Sequence, residues 1–381
     1  MARKLNLVKD FIAQSQGSID ISLSPVEIKL EEELVQRHPL LFIPPLPLPY
    51  RRDGYGLLSF CAKRFVYHWL KDYGQTDSTE NVQTKLSNSG MAAIDLIFNA
   101  LALKGGKRII CPKSLYSASS ELIDSYKTTS SIEVLRFKNK EELEEILKQP
   151  NEQSVLFLEV CANSPRMTFW ENMSIKEMSK KVGYVVIDGT LIGASRINPD
   201  ILNQGNVIYV ESLSKNYHME KSSEISAGIS IYPSSLEDLF QSRFHNSGSY
   251  LQMNDLMEMP FELYDVGKEK IEQIARNIQD FYRSVKSFCQ DGKVSISPIP
   301  EDLAKVPLVV FIDFQERSRL EYFLKQSQLK QRQSFGHEET YIIPIGLLWD
   351  TAPPGLARIA LGRNSENSQL VHALKEASVY N

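Results

Sequence analysis

Tyr184-Val-Val-Ile-Asp188 and Tyr209-Val-Glu-Ser-Leu-Ser-Lys215 are the stretches that decide the fold of this chain. Each is a short apolar run that ends in polar residues, and Lys215 lies 27 residues after Asp188. Runs of this kind are typical of neighbouring strands in a parallel sheet, whose carboxyl ends meet at one edge. An acid and an amine are then close enough for one cofactor to contact both.

This pair of side chains suggests pyridoxal phosphate. A carboxylate keeps the pyridine nitrogen of that cofactor protonated, and a lysine amine forms an imine with its aldehyde. The protonated ring can accept electron density from a carbanion at the α-carbon of an amino acid. Taken alone, an Asp at a strand end and a Lys in a Ser-rich loop are ordinary features, so the interpretation depends on the rest of the chain.

From about residue 83 onward, short β-rich runs alternate with helical patterns. The predicted strands are Gln83–Ser87, Arg108–Cys111, Glu133–Phe137, Val155–Glu159, Tyr184–Asp188 and Val207–Glu211. The predicted helices include Met91–Leu103, Ser117–Tyr126, Lys140–Lys148 and Ile175–Val182. This alternation predicts an α/β domain with a mostly parallel sheet that is covered on both faces.

A smaller α+β domain is expected after the long periodic stretch from Val266 to Phe288. We therefore divide the chain into an N-terminal arm and small-domain segment at 1–50, a large cofactor-binding domain at 51–265 and a small C-terminal domain at 266–381. The stretch Phe42-Ile-Pro-Pro-Leu-Pro-Leu-Pro-Tyr50 cannot be helical, and we interpret it as an extended arm.

The composition is that of a globular protein with small-molecule partners. Among 381 residues, 43 basic and 47 acidic side chains give a formal net charge of −4, which implies no field strong enough to attract nucleic acid. The four cysteines lack metal-ligand spacing and are expected to be reduced. No apolar run approaches membrane-spanning length, so no membrane partner is expected and a cytoplasmic location is the default.

A phosphate-binding turn is predicted where the first strand passes into a helix. Ser87-Asn-Ser-Gly-Met-Ala-Ala places Ser89, Gly90 and Met91 at the start of the helix, whose free N–H groups can hold a dianion. A simply capped helix start is the alternative. Ser212 and Ser214, which flank the lysine loop, can supply hydroxyl groups to the phosphate.

Three further side chains have the chemistry that a cofactor and an amino acid require. Tyr116 follows the second strand and can stack on a planar heterocycle, although loop tyrosines commonly just pack. Asn163 can donate its amide to the phenolic oxygen of the cofactor, or it can belong to an Asn-Ser-Pro turn. Arg358 can bind a substrate carboxylate with two bonds, or it can be a solvated edge-strand residue.

The order of these elements resembles that of fold-type-I pyridoxal-phosphate enzymes of the class I/II aminotransferase group, over nearly the whole chain. The resemblance implies a seven-stranded sheet in the large domain, a small domain built from both chain ends, and a homodimer with its active sites at the interface. It gives Tyr116, Asn163, Asp188, Lys215 and Arg358 the roles described above. It also makes Tyr50, Arg51 or Arg52 candidates to reach across the dimer.

Three features depart from that group, and one is Asn163-Ser-Pro-Arg166, which stands where the group has Asn-Pro-Thr-Gly. Aminotransferases carry a tyrosine where this chain has Leu191, so one hydroxyl near the cofactor is missing. Ser226, before Ala227-Gly228, stands where the group has a basic phosphate ligand. Either Lys221 substitutes for that ligand, or the phosphate is held by backbone alone.

A narrower resemblance is to enzymes that process arginine, which include an arginine oxidase and the cyclases that form enduracididine. It rests on Leu23-Ser-Pro, Ser87-Asn-Ser-Gly-Met-Ala-Ala-Ile-Asp-Leu, Asp188-Gly-Thr-Leu and Ala357-Arg-Ile-Ala-Leu-Gly-Arg. Ser18 replaces the histidine that the oxidase requires, which favours cyclisation over oxidation.

The resulting hypothesis is a pyridoxal-phosphate enzyme that acts on a free basic L-amino acid. Lys215 removes the α-proton, water leaves the γ-carbon of a hydroxyarginine, and a guanidine nitrogen closes a ring. Asp10, Asp20 and Glu159 are candidates to receive the guanidinium group, although capping or solvated carboxylates are the preferred interpretation. A conventional aminotransferase, an arginine oxidase and a non-catalytic protein of the same fold are the alternatives.

Overall fold

A seven-stranded sheet forms the centre of the larger part of the structure. The structure, a computed structural model, describes residues 53–75, 81–167, 174–217, 226–252, 255, 263–289, 293–349, 352–364 and 367–380. The strands of the large sheet are β1 Val82–Ser87, β2 Arg108–Pro112, β3 Glu133–Phe137, β4 Asn151–Glu159, β5 Val182–Asp188, β6 Val207–Ser212 and β7 Gly228–Pro233.

The strand order is β1-β7-β6-β5-β4-β2-β3, and only pairings that involve β7 are antiparallel. Since β7 is antiparallel to both β1 and β6, these two strands run in the same direction. Six carboxyl ends therefore lie at one edge of the sheet. The mostly parallel seven-stranded sheet is confirmed, although the sequence pattern had indicated six strands and missed β7.

Helices cover both faces of this sheet. They are α1 Asp53–Asp72, α2 Gly90–Leu103, α3 Ser117–Thr129, α4 Lys140–Ile146, α5 Ile175–Ser179, α6 Leu213–Asn216 and α7 Glu237–Ser247. The predicted helix Ile175–Val182 is too long, because Val182 already pairs with Asn151 as the first residue of β5. The other predicted helices near α2, α3 and α4 are confirmed with small shifts at their ends.

The two faces are made by alternation along the central strands. In β4, Leu156 and Leu158 belong to the apolar cluster that contains Trp69 of α1, whereas Val155 and Phe157 belong to the cluster that contains Ile97 of α2. Side chains that alternate along a strand point to opposite faces, and burial on both sides explains the continuous apolar run Val155–Leu158.

A second sheet of five strands follows the long helix α8, Leu263–Val285. Its strands are β8 Ser295–Ile296, β9 Val310–Asp313, β10 Lys330–Gln331, β11 Tyr341–Ile343 and β12 Leu356–Ala360. The helices α9 Arg317–Ser327, α10 Ile345–Leu348 and α11 Asn367–Val379 accompany it. Two sheets separated by a long helix agree with the expected smaller α+β unit, while the domain limits at 50 and 265 stay a prediction.

Several expectations concern residues outside the described part of the chain. These are the N-terminal arm, the Pro-rich stretch, and Asp10, Ser18, Asp20, Tyr50, Arg51, Arg52 and Lys221. Cys61, Cys111, Cys161 and Cys289 all lie in the described part of the chain, where each is buried and none forms a disulfide. None of the helices in the described ranges has the length and apolar character needed to cross a membrane.

Trp69 joins α1 to the large sheet and gives a test of this packing. Its side chain is fully buried against Tyr209, with ring centroids 4.8 Å apart, and its Nε1 donates to the Ile197 carbonyl at 2.8 Å. We expect Trp69→Ala to lower the free energy of unfolding by about 3–5 kcal/mol, because it leaves a cavity and an unpaired carbonyl. Urea unfolding measures this, with Tyr67→Ala as the control.

Tyr67 lies on the same helix with 44% of its side-chain surface exposed. Its replacement is expected to change stability by no more than about 0.5 kcal/mol. Equal losses in the two variants would mean that the burial of Trp69 does not hold α1 on the sheet.

Candidate active site

A cavity of about 200 Å³ lies at the edge of the large sheet where the carboxyl ends of the parallel strands meet. Glu159, Asp188 and Ser212 are the last residues of the adjacent strands β4, β5 and β6, and all three line it. Arg358 of β12 and the segment before Gly336 close the cavity from the second sheet.

Ten of the eleven predicted site residues line this cavity, and Lys221 lies outside the described residues. The ten are Ser89, Gly90, Met91, Tyr116, Asn163, Asp188, Ser212, Ser214, Lys215 and Arg358. They come from two sheets and are spread over about 270 residues of sequence, from 89 to 358. The structure thus brings together the residues that the sequence analysis singled out, while their chemical roles stay proposals.

The turn before α2 has the features of a capped helix start and also those of a phosphate-binding turn. The Ser89 hydroxyl accepts a hydrogen bond from the Ala92 N–H at 3.0 Å, so the helix is capped by a side chain. The N–H groups of the first helical turn still have no acceptor within the helix, and they lie at the positive end of its dipole. A Cβ added at Gly90 would lie 2.7 Å from the Cβ of Ser212, so glycine allows this close approach. The turn can therefore hold a phosphate.

Ser212 and Ser214 differ in how far their hydroxyl groups are already engaged in hydrogen bonds within the protein. The Ser212 hydroxyl donates only a long bond of 3.4 Å to Ser214. The Ser214 hydroxyl donates to the Ala227 carbonyl at 3.0 Å and accepts from the Ala227 N–H at 2.9 Å. Ser212 is thus the better candidate for a phosphate ligand. Ser214 mainly joins the short helix α6, which contains Lys215, to the residue before β7.

Asp188 is held by Thr190, two residues further along. The N–H of Thr190 donates to Asp188 Oδ1 at 2.9 Å, and its hydroxyl donates to the same oxygen at 2.5 Å. Burial raises the pKa of Asp188, although these bonds act in the opposite direction. Within the described residues, no cation offsets the cost of burying this carboxylate. A protonated pyridine nitrogen is a suitable missing partner.

Lys215 has the properties of a reactive amine. Burial, together with the nearby positive charges of Arg358 and Arg332, lowers the pKa of Lys215 from 10.5 to about 8. Its Nζ donates to the Ser334 hydroxyl at 3.2 Å and lies 5.6 Å from the centroid of the Phe335 ring. Neutral amine, the form that attacks an aldehyde, is therefore available near neutral pH.

Arg358 is a buried cation in β12, with only 6% of its surface exposed. One guanidinium nitrogen donates to Asn163 Oδ1 at 3.1 Å and another donates to the Gln333 carbonyl at 2.7 Å. Burial lowers its pKa to about 10, which still leaves the group charged at neutral pH. These contacts exclude the solvated edge-strand interpretation, and the guanidinium group can offer a carboxylate two donors.

Tyr116 and Asn163 are joined through Glu159. The Tyr116 N–H donates to Glu159 Oε1 at 2.7 Å, and the Asn163 N–H donates to Glu159 Oε2 at 3.4 Å. Burial, and the adjacent charge of Asp188, raise the pKa of Glu159 to about 8. The carboxyl group therefore caps two loops, as the preferred interpretation of this residue predicts.

Some residues of the site escaped the sequence analysis. Ser334, Phe335 and Gln333 line or contact the lysine pocket, but they lie in a loop between two very short strands, and no local pattern marks them. Thr190 could have been found, because an acid followed two residues later by threonine is a known side-chain turn. Leu191, noted as a departure, does line the cavity, and so does Ser226.

These residues fit pyridoxal phosphate. A helix start and Ser212 suit the phosphate, and Asp188, which has no cation beside it within the described residues, suits the pyridine nitrogen. Lys215 lies in the same cavity, and its pKa of about 8 leaves part of its amine neutral near neutral pH. When bound, this cofactor withdraws electrons from the α-carbon of an amino acid that is joined to it.

Solved structures with this architecture include enzymes of sulfur amino acid metabolism. A putative O-acetylhomoserine (thiol)-lyase from Campylobacter jejuni, solved with a pyridoxyl-lysine phosphate, matches with a TM-score of 0.64 at 15% identity over 85% of this chain and 86% of that one. Cystathionine γ-synthase from Xanthomonas oryzae, in complex with cystathionine, matches with a TM-score of 0.66 at 16% identity over 84% and 85%. The same enzyme with aminoacrylate and cysteine gives 0.65 at 17% identity over 83% and 85%.

The fold is that of fold-type-I, pyridoxal-phosphate-dependent enzymes, and the residues of the cavity fit that cofactor. Residues 78–255 match the model of one family in particular, described as Cys/Met metabolism PLP-dependent enzyme. That span includes Asp188 and Lys215, while Arg358 lies beyond it. A search of curated proteins gives no significant match.

The lowered pKa of Lys215 predicts the pH dependence of cofactor attachment. An amine with a pKa of about 8 is half neutral at pH 8, whereas an ordinary lysine, with a pKa of 10.5, is almost entirely protonated there. We expect the rate at which the apoprotein gains visible absorbance with pyridoxal phosphate to rise through about pH 8. Stopped-flow absorbance between pH 6 and 10 measures this.

Arg358→Met is the matched variant for that measurement. Removing one of the positive charges near Lys215 should move the midpoint to higher pH. A wild-type midpoint near 10 would contradict the lowered pKa.

Gly336 places the second-sheet loop directly against the lysine. Its φ is 78°, and an added Cβ would overlap the Lys215 carbonyl oxygen. Gly248 has a similar φ of 67° but nothing within 4 Å of an added Cβ. We expect Gly248→Ala to cost only the strain of the positive φ, about 1 kcal/mol, and to bind the cofactor normally.

Gly336→Ala should be destabilised by more than this and should also attach the cofactor more slowly, because the loop must move away from Lys215. Unfolding curves and the cofactor absorbance report these two effects separately. If the two variants attach the cofactor at the same rate, the close approach at Gly336 has no role in positioning Lys215.

Proposed function

We propose that this enzyme removes or replaces a substituent on the γ-carbon of a free L-amino acid. The family model over residues 78–255, together with neighbours named as cystathionine γ-synthase and O-acetylhomoserine (thiol)-lyase, supports this reaction type. The observation that carries the proposal is the presence in one cavity of a cation able to bind a carboxylate, Arg358, and an amine of lowered pKa, Lys215.

Arg358 binds the α-carboxylate of the substrate. Its two present acceptors are the amide oxygen of Asn163 and the carbonyl of Gln333, and a carboxylate offers a stronger, charged acceptor in the same place. This anchor orients the α-carbon in the cavity that contains the Lys215 amine. Orientation of this kind accounts for a large part of the rate in such reactions.

Lys215 moves the protons. Its low pKa lets the neutral amine accept the α-proton near neutral pH and return it later. The Ser334 hydroxyl, which accepts from Nζ at 3.2 Å, holds the amine in place between these steps. Loss of a leaving group from the γ-carbon then requires only that a second proton be taken from the β-carbon.

Cyclisation of a γ-hydroxyarginine is a narrower form of the same reaction, in which the guanidine nitrogen of the substrate replaces its own hydroxyl group. It requires a carboxylate for the guanidinium group. The cavity lining contains two carboxyl groups in the described residues, Glu159 and Asp188, and both already accept hydrogen bonds from the protein. This favours a substrate with an uncharged leaving group, such as a homoserine ester.

The aminotransferase and arginine oxidase alternatives share the α-proton step and differ afterwards. A non-catalytic role is opposed by the joint presence of Asp188, Lys215 and Arg358 in one cavity, since a protein that had lost its activity would not be expected to keep all three. A homodimer with a residue from Tyr50–Arg52 in the partner's site stays a prediction of the family resemblance.

The test is a product analysis with a small set of substrates. With O-acetyl-L-homoserine, we expect acetate, ammonia and 2-oxobutanoate, as one water is consumed. With cysteine added, we expect cystathionine and acetate instead. Lys215→Ala serves as the inactive control, and mass spectrometry identifies the products.

Two other outcomes would replace the proposal. Loss of one water from γ-hydroxyarginine, with no turnover of the homoserine ester, would establish the cyclase hypothesis. Formation of a keto acid from arginine, with the amino group retained on the cofactor, would make the protein an aminotransferase.

A further inference from the structure

Glu159 is a buried acid of the active site that none of the roles above requires. It is the last residue of β4, it lines the cavity, and only 5% of its surface is exposed. Asp188, its register partner across the β4–β5 pairing, already supplies the carboxyl group for the pyridine nitrogen. A second buried acid here requires its own explanation, because burial of an acid is costly.

The hydrogen bonds of Glu159 lead to two different loops. Oε1 accepts from the backbone N–H of Tyr116 at 2.7 Å, and Oε2 accepts from that of Asn163 at 3.4 Å. Tyr116 follows β2 and Asn163 follows β4, so one side chain fixes the main chain on both sides of the cavity. With both oxygens accepting from the backbone, Glu159 is poorly placed to be the main ligand of a charged substrate group.

The backbone of Tyr116 makes two hydrogen bonds, one from its N–H to Glu159 and one to its carbonyl from the Ser120 N–H at 2.9 Å. Its side chain is 38% exposed, and it makes no side-chain capping bond to α3 although it is the residue before that helix. The short bond from its N–H to Glu159 ties the loop to the floor of the cavity. Asn163 differs, since its side chain also accepts from Arg358 at 3.1 Å.

We propose that Glu159 is a positioning residue that sets the Tyr116 ring against the face of the bound cofactor and, more weakly, aligns Asn163 with its edge. The role depends on the hydrogen-bond acceptors of the side chain and not on a negative charge. The raised pKa, about 8, agrees with this, because a largely neutral carboxyl group still offers its carbonyl oxygen to the Tyr116 N–H, which makes the shorter of the two bonds. Glutamine should therefore replace it well.

The experiment compares Glu159→Gln with Glu159→Leu in the full chain loaded with pyridoxal phosphate. Both variants have nearly the shape of glutamate, but only glutamine retains an acceptor for the Tyr116 N–H. We expect Glu159→Leu to bind the cofactor about 10-fold more weakly and to lose most of its visible circular dichroism, because the ring above the cofactor moves. Glu159→Gln should remain within about 3-fold of the wild type with its dichroism retained.

A double-mutant cycle with Tyr116→Ala tests whether Glu159 acts through Tyr116. In that background Glu159→Leu should lose most of its effect on cofactor affinity, because the ring it positions is gone. Additive effects would overturn the proposal. So would a Glu159→Gln variant as impaired as Glu159→Leu, which would show that the charge is required.

Glu159→Asp keeps the test decisive if the leucine variant does not fold. Aspartate retains the charge and both oxygens but is one methylene shorter, so it cannot reach the two loops at once. The proposal expects it to lose dichroism as Glu159→Leu does, and wild-type dichroism in Glu159→Asp would overturn it. All of these readouts concern cofactor binding, so they do not depend on which substrate the enzyme turns over.

Discussion

The in-register pairing of β4, β5 and β6 is the constraint on which the rest of the site depends. Glu159 pairs with Asp188, and Asp188 pairs with Val210. Val210 lies five residues before Lys215 in the sequence. A shift of one residue in either pairing would turn every side chain to the opposite face and remove the acid from the cavity. The register is secured by the continuous burial of these strands on both faces, so the apolar core and the cofactor chemistry are specified by the same residues.

The second sheet completes the site through two long-range contacts. Arg358 donates a hydrogen bond to Asn163, 195 positions away in the sequence. Lys215 donates one to Ser334, 119 positions away. Asn163 and the Lys215 amine, which both belong to the large-sheet part of the chain, thus each have a hydrogen-bond partner in the second sheet or its loop. Burial is the main cause of the lowered pKa of Lys215, and the cations that add to the shift, Arg358 and Arg332, come from the second sheet and its loop.

The predictable parts of the molecule are those with local patterns. Asp188, Lys215 and the Ser89 turn follow apolar strand runs, and the parallel-edge rule is enough to bring them together. Strand β7 was missed because its alternating sequence, from Gly228 to Pro233, lies after the expected parallel units and enters the sheet antiparallel between β1 and β6. Ser334 has no local signal at all, since its position is set by packing across the two sheets. The two-residue strands β8 and β10 exist only through their pairing partners.

The hydrogen bonds of Arg358 to other groups of the protein bear on how a carboxylate would be recognised. Because the guanidinium group is already bonded to Asn163 and Gln333, the arrival of a carboxylate is an exchange of hydrogen-bond acceptors and not the filling of an open site. The affinity then reflects only the difference between a charged acceptor and two neutral ones. Selectivity follows from this, since a small anion that cannot also occupy the cofactor side of the cavity gains too little to displace them. On the proposed role of Arg358 as the carboxylate ligand, this end of the cavity would therefore discriminate against abundant inorganic anions although the arginine is charged.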